Sequence, residues 1–398
     1  MKVILNNKKV REFFYNGTFY ECNKEIDVPF SEAVKIARLM PVEMGHMPKA
    51  EYDASLWKEN KEFFLTSDVD MTSGWGNASF NLLKYTSNSL KAGLVGRIAG
   101  VTDSKVLGAS RREIKPSGAM VWHEQPKSNW ITSPYGKNIA IVPFETTIIP
   151  ESWIARINSF DALFVPCQQN KEAFEQSGVR VPIEIIHWGI DETKFKPIER
   201  SNSTFTFGTH GALSLRKGTD VLVQAFQKAF PNNENVKLIC KTSYNGYPFM
   251  VKDKRVEVKM TPIDHDDLIN EYFKKIDIGV YPTRGEGFGL CPLEVMATGA
   301  PVIVTGWSGP LEYMTPDTGW LIDYGMTPAK DFTETIYKEN CGEWAEPSVD
   351  PLAQLMRYAY EHQDEVREKG KLAAKHVADN WLWSQKIKMF EQALDRYL

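Results

Sequence analysis

Short apolar runs and helix-period stretches alternate along this chain from residue 63 onward, with glycine, proline or polar turn residues between them. Phe63–Val69, Gly118–His123, a run from Asn138, Phe160–Cys167 and a run from Ile183 read as strands. So do Phe205–Gly208, Val236–Thr242, Val256–Met260 and Ile276–Tyr281. Phe80–Leu94, Ile154–Ser159, Gln168–Ser177, Thr219–Phe230 and Asp266–Lys274 read as helices, and the fourth places Val221, Leu222, Ala225 and Phe226 on one stripe. Strands that alternate with helices in this way predict an α/β protein built on parallel sheets.

The opening residues follow another pattern. Val10–Cys22 reads as a hairpin turning at Asn16 and Gly17, the pair that accepts the positive φ values of a tight turn, and Phe30–Leu39 as a short helix from near Ser31. Residues 1–60 are therefore expected to form an appended element. Residues 198–204, polar and rich in Ser and Asn, read as a linker. A chain of 398 residues is long for one core, so two are expected, over residues 61–200 and 201–375, with a C-terminal helix over 376–398.

Composition removes several classes. With 42% hydrophobic and 25% charged residues the chain is not disordered, and a net charge of -4 argues against a globally basic nucleic-acid binder. No apolar run is long enough to span a bilayer and the first residues lack a signal-peptide core, so a cytoplasmic protein is expected, with contact at a membrane surface left open. The five cysteines, at 22, 167, 240, 291 and 341, stand singly without metal-ligand spacing, which favours free thiols.

The densest chemistry lies after Tyr281. Thr283 to Gly289 is polar and glycine-rich, and Pro292 is acceptable in a first helical turn. The order is then strand, glycine loop, helix. Gly285, Gly287 and Gly289 let backbone approach a ligand, and free N–H groups near Leu290 face an anion such as a phosphate. Glu286 in the loop and Glu294 eight residues on are placed to accept hydrogen bonds from sugar hydroxyls. Taken alone, the same residues also fit an ordinary glycine turn before an amphipathic helix. Asp68–Asp70 and Asp264–Asp266 both spell the D-x-D that holds a cation in metal-dependent transferases. The second pair sits where acids favour a helix N-terminus, and no metal is expected at either.

The spacing Glu286-x7-Glu294 inside Glu-Gly-Phe-Gly-Leu-x-Pro-Leu-Glu, followed by Gly299-Ala-Pro-Val-Ile-Val-Thr305, resembles the donor-site signature of the retaining glycosyltransferase family 4. The resemblance extends over roughly residues 62–398. It implies the GT-B fold, two Rossmann-like doubly wound domains facing a cleft, with the last helix crossing back onto the N-terminal domain. It implies a nucleoside diphosphate sugar as donor substrate, with no cofactor or metal. Arg216-Lys217-Gly218 is similar to the family's basic donor motif, whose cations would neutralise the diphosphate. Many members carry a further arginine upstream, where this chain has His210-Gly-Ala-Leu. Glu286 would hold donor hydroxyls and Glu294 the ribose, with Gly287, Phe288, Gly289 and Leu290 lining the donor. Gly74, Trp75 and Gly76 resemble the family's N-terminal glycine loop, and His123, at the mouth of a strand, its cleft histidine. Met260 and Ile263 fall where the nucleobase lies, and His187 is assigned to the interdomain hinge.

These residues speak for the donor. In residues 91–115, Lys91, Arg97, Lys105, Arg111, Arg112 and Lys115 outnumber Asp103 and Glu113, a patch suited to a phospholipid headgroup, a nucleic acid or solvent. Trp75, Trp122 and Trp130 suit stacking on a sugar or base, or a place in the core. The expected activity is glycosyl transfer to a glycan, a lipid-linked sugar or another hydroxyl acceptor. Transfer to modified bases of DNA, sugar-nucleotide epimerisation and non-catalytic nucleotide-sugar binding are the alternatives.

Overall fold

The computed structural model describes residues 2–5, 12–15, 18–21, 25–28, 32–33, 35–36, 42–44, 61–70, 73–113, 119–126, 132, 136–232, 234–242, 251–260 and 268–397. Two six-stranded parallel sheets carry the architecture. The first runs Ile183–Ile185, Ala162–Val165, Asn138–Ile141, Ala119–Trp122, Glu62–Thr66, Lys91–Val95 across the sheet. The second runs Val256–Met260, Val236–Thr242, Phe205–His210, Ile278–Tyr281, Val302–Thr305, Gly319–Ile322. Their central strands are buried on both faces, as expected of sheets covered by helices, and this is why they read as unbroken apolar runs. Ahead of them, Lys2–Leu5 pairs antiparallel with Glu25–Asp27 and Val42–Met44, and Glu12–Tyr15 pairs antiparallel with Thr18–Glu21, while the expected turn at Asn16 and Gly17 lies outside the described residues.

Several boundaries differ from the expectation, that of the first helix most of all. The helix after the first strand spans Gly74–Tyr85 rather than Phe80–Leu94, because Ser73 caps it: the Ser73 hydroxyl accepts from Gly76 N, while Asp70 accepts from Ser73 N. Gly74, Trp75 and Gly76 therefore form its first turn instead of a free loop. Lys91–Val95 is an edge strand in register with Glu62–Thr66. Its burial, rising from exposed Lys91 to buried Gly93, Leu94 and Val95, is a half-covered edge that single-sequence periodicity cannot separate from a helix end.

Two C-terminal features join the halves. The Trp383–Tyr397 helix lies on the first sheet, with Phe390 5.5 Å from Phe63 and Arg396 and Tyr397 bonded to Glu184. A hairpin of Tyr324–Pro328 and Glu343–Pro347 reaches the N-terminal half: Thr147 N donates to Glu343 O at 2.9 Å, and Ser152 Oγ to Glu339 at 2.6 Å. Phe144, Trp153, Phe332, Tyr337 and Trp344 pack together beneath it.

Candidate functional site

The carboxyl ends of the central strands of both sheets meet at the loops that follow them. Beyond Tyr281, Thr283 to Gly289 runs against Pro143 to Glu145, which follows Asn138–Ile141. A Cβ on Gly285 would lie 2.0 Å from Glu145 O, and one on Gly287 2.6 Å from Pro143 Cβ. Only glycine permits this approach. Gly218, at φ +65, is needed for the same reason, since a Cβ there would meet Pro282 O at 1.7 Å. Arg284 N donates to Arg216 O at 2.7 Å, and the Arg284 guanidinium bonds Asp220 and Glu346, so the two loops of the second sheet are tied together.

Four charged groups converge there. Lys217 Nζ donates to Glu286 Oε1 at 2.6 Å, and Arg216 bonds the other oxygen at 3.3 Å and Gly285 O at 2.7 Å. Glu145, from the N-terminal half, lies 3.8 Å from Arg216. Burial pushes the Glu286 carboxyl up, but Lys217 and Arg216 outweigh it and hold it below the usual range. For Glu145 burial wins over the pull of Arg216, with Glu286 adding to the rise. Arg216 is held above its ordinary value, since Glu145 and Glu286 outweigh its burial. Cations paired with an acid can exchange that acid for another anion. The Leu290–Ala297 helix begins at Gly289, in left-handed conformation at φ 88, and its first-turn N–H groups lie at the same loop.

Glu294, in the second turn of that helix, is bonded by His210 Nε2 at 2.8 Å, and His210 Nδ1 lies 2.6 Å from Tyr281 Oη. Burial works against charge on His210, but Cys291 and Glu294 raise it to about 9. Thus His210 and the Glu294 carboxylate form a buried pair of opposite charge. Among the described residues, His210, Cys291 and Glu294 are the group able to hold a metal, their ligand atoms all within 4.8 Å. Both ring nitrogens are already hydrogen-bonded, so an ion would have to break the His210–Glu294 contact.

On the other side of the cleft, His123 follows Ala119–Trp122 and is 1% exposed. Trp75 stacks on its ring at 5.0 Å and Trp188 meets it edge-on at 5.6 Å. Burial lowers its pKa to about 3, so the ring is neutral. Trp122 is fully buried in the core, which removes it as a stacking platform. Phe288 is equally buried, against Trp188, Tyr313 and Trp381, so only its backbone remains for a ligand. Met260 ends the edge strand of the second sheet and is exposed; Ile263, Trp130, Lys115 and the second D-x-D lie outside the described residues. The first D-x-D is engaged locally, Asp68 by Arg97 and Asp70 by Ser73. Of the basic residues in 91–115, Lys105 donates to the carbonyls of Lys84 and Thr86, and Arg112 to that of Ala92. His187 bonds Pro166 O at 2.9 Å and lies 3.6 Å from Glu312.

Glu145 and Tyr281 went unassigned in the sequence. Glu145 follows a strand end, as His123 does, and strand-end position was the one signal that pointed to it.

Residues 204–338 match the family model of glycosyl transferases group 1. The lipopolysaccharide core biosynthesis mannosyltransferase LpsB of Rhizobium meliloti is 27% identical over 164 residues, 36% of this chain and 46% of its own. The capsular polysaccharide biosynthesis glycosyltransferase CapM of Staphylococcus aureus is 27% identical over 133 residues, 31% and 34% of the two chains. The chain thus spans less than half the length of these relatives. Among solved structures, Anabaena HepE in complex with UDP-glucose superposes with a TM-score of 0.60 at 14% identity, over 84% of this chain and 99% of that one. S. aureus TarM, in a complex containing UDP, does so at 0.53 and 13%, over 71% and 55%.

Proposed function

From a chain that is homologous to the group 1 (GT4) glycosyl transferases and has the GT-B fold, we infer a retaining glycosyltransferase that moves a sugar from a nucleoside diphosphate sugar to a hydroxyl acceptor. The observation that carries the reading is the convergence of Lys217, Arg216 and Glu286 at the start of the Leu290–Ala297 helix, with Glu145 of the N-terminal half beside Arg216.

As the glycosidic bond to the diphosphate breaks, negative charge gathers on the leaving group and positive charge on the sugar ring. Fixed cations and helix N–H groups stabilise the first without reorganising, which is a large catalytic term. Lys217 and Arg216 take that part, exchanging Glu286 for the diphosphate. Glu286 then turns to donor hydroxyls and the positive ring, while the buried Glu294 accepts from ribose hydroxyls and His210 keeps its carboxylate aligned. His123 accepts a hydrogen bond from a sugar hydroxyl. These cations carry the charge that a metal would carry in a metal-dependent transferase.

UDP-sugars are the first donors to test, since HepE and TarM were solved with UDP. The relatives' names favour a glycan or lipid-linked acceptor. Transfer to modified DNA finds less support, because Lys105 and Arg112 donate to backbone carbonyls and Arg97 is paired with Asp68 at the surface. No described helix is long and apolar enough to cross a membrane.

The test is a donor-consumption screen over nucleotide-sugars, repeated with acceptor fractions that include lipid extract, oligosaccharides and modified DNA. Acceptor-dependent release of nucleoside diphosphate supports transfer. Interconversion of the donor without acceptor identifies an epimerase, and binding without turnover a non-catalytic protein.

A further inference from the structure

Ser79 is fully buried in the Gly74–Tyr85 helix, its hydroxyl 2.8 Å from His123 Nδ1 and 2.7 Å from Ser67 Oγ. Ser67 Oγ in turn donates to the carbonyl of Asp68 at 3.1 Å. A hydroxyl owns one proton, and a carbonyl can only accept. With its proton on Asp68 O, Ser67 can only accept from Ser79. Ser79, its own proton given to Ser67, can only accept from His123. Nδ1 must therefore carry the imidazole proton, and a neutral ring has just one, so Nε2 is a bare lone pair.

The opposite direction is worse at both ends. It breaks the Ser67 to Asp68 bond, and it places an N–H at Nε2. Nε2 is a buried atom without a hydrogen-bond partner among the described residues. A buried polar atom left alone is costly and marks either strain or a ligand's place. The ring cannot turn away to find another partner, since Trp75 covers its face and Trp188 its flank.

We propose that Ser79, oriented by Ser67, is a positioning residue that fixes His123 as the Nδ1–H tautomer, so that Nε2 serves solely as a hydrogen-bond acceptor for a hydroxyl of a sugar in the cleft. The identity of the hydroxyl rests on the glycosyl-transfer reading; the tautomer does not. A group that brings a proton satisfies this position, whereas a carboxylate or carbonyl sets lone pair against lone pair. The relay thus gives the His123 position a polarity, favouring neutral polyol sugars over sugars oxidised to an acid at the contacting carbon.

The full chain, labelled with 15N-histidine, tests this by long-range proton–nitrogen correlation, the His123 resonances being identified by their loss in His123→Asn. The expected result is a protonated Nδ1 and an unprotonated Nε2; a ring protonated at Nε2 overturns the proposal whatever the enzyme's activity. In Ser79→Ala the single tautomer should give way to a mixture, with turnover of a nucleotide-hexose lowered about tenfold, the loss expected of one mispolarised buried hydrogen bond. UDP affinity should stay unchanged, and Ser79→Thr, which keeps the hydroxyl, should restore both tautomer and turnover. An unaltered tautomer and rate in Ser79→Ala would overturn it. If wild type turns over no nucleotide-sugar, the functional reading fails alone, and the spectrum still decides the tautomer.

Discussion

Lys217 Nζ and Glu286 Oε1, on loops 69 residues apart, lie 2.6 Å from each other, and the same carboxylate meets Arg216 at 3.3 Å. The site's two cations are thus held in place by its own acid.

That pairing separates binding from turnover. Lys217→Ala should weaken UDP binding and lower turnover by roughly 10²-fold or more, as removal of a preorganised charge does. Glu286→Gln should lower turnover comparably while UDP binds as tightly or more tightly, because the acid no longer competes for Lys217 and Arg216. Calorimetric titration with UDP beside turnover measures both; weaker UDP binding by Glu286→Gln would contradict the exchange.

Gly285 is placed by contact between halves, its missing Cβ facing Glu145 O at 2.0 Å. Gly285→Val should hold the cleft apart, lowering kcat strongly with little loss of thermal stability. Small-angle scattering should then show a larger radius of gyration than wild type, and an unchanged radius with unchanged kcat would remove this contact from the mechanism.

Among the described residues, the buried histidines His123 and His210 should tilt stability in opposite directions with pH. His210 has a raised folded value, about 9 against an ordinary 6.5, so its contribution is fully present below 6.5 and is lost as pH rises toward 9. His123 has a lowered value, about 3, so its contribution is present above 6.5 and is lost as pH falls toward 3. Each slope is at most about 1.4 kcal/mol per pH unit, one proton's worth. Melting temperatures from pH 4 to pH 9, on the order of the range these groups span, should lose the alkaline decline in His210→Gln and part of the acid decline in His123→Asn.

Asp191, 3% exposed, accepts from Lys84 at 2.8 Å and from Tyr85 at 2.9 Å. Asp191→Ala leaves Lys84 largely buried without its counter-charge and should destabilise by about 3 kcal/mol, the cost of breaking a buried pair. Chemical denaturation reads this directly, and a loss under about 1 kcal/mol would mean that Lys84 relaxes to solvent.

Much of this protein is decided within a dozen residues. Apolar runs buried on both faces, the Gly285-Glu286-Gly287 loop before its helix and Arg216-Lys217-Gly218 before another are local patterns, and each was legible because backbone φ, hydrogen-bond supply and periodicity are local properties. The cap at Ser73 was legible in principle, yet the glycines after it masked a helix start, and half-covered Lys91–Val95 carried no distinct period. What tertiary structure alone decided is which side chains meet. Glu145 reaches Arg216 because two sheets present their carboxyl ends to one cleft, His210 meets Glu294 through the parallel pairing of Phe205–His210 with Ile278–Tyr281, and Ser79 reaches His123 through a helix packed on neighbouring strands. Register between distant strands is set by the packing of whole faces, and no spacing along the chain encodes it.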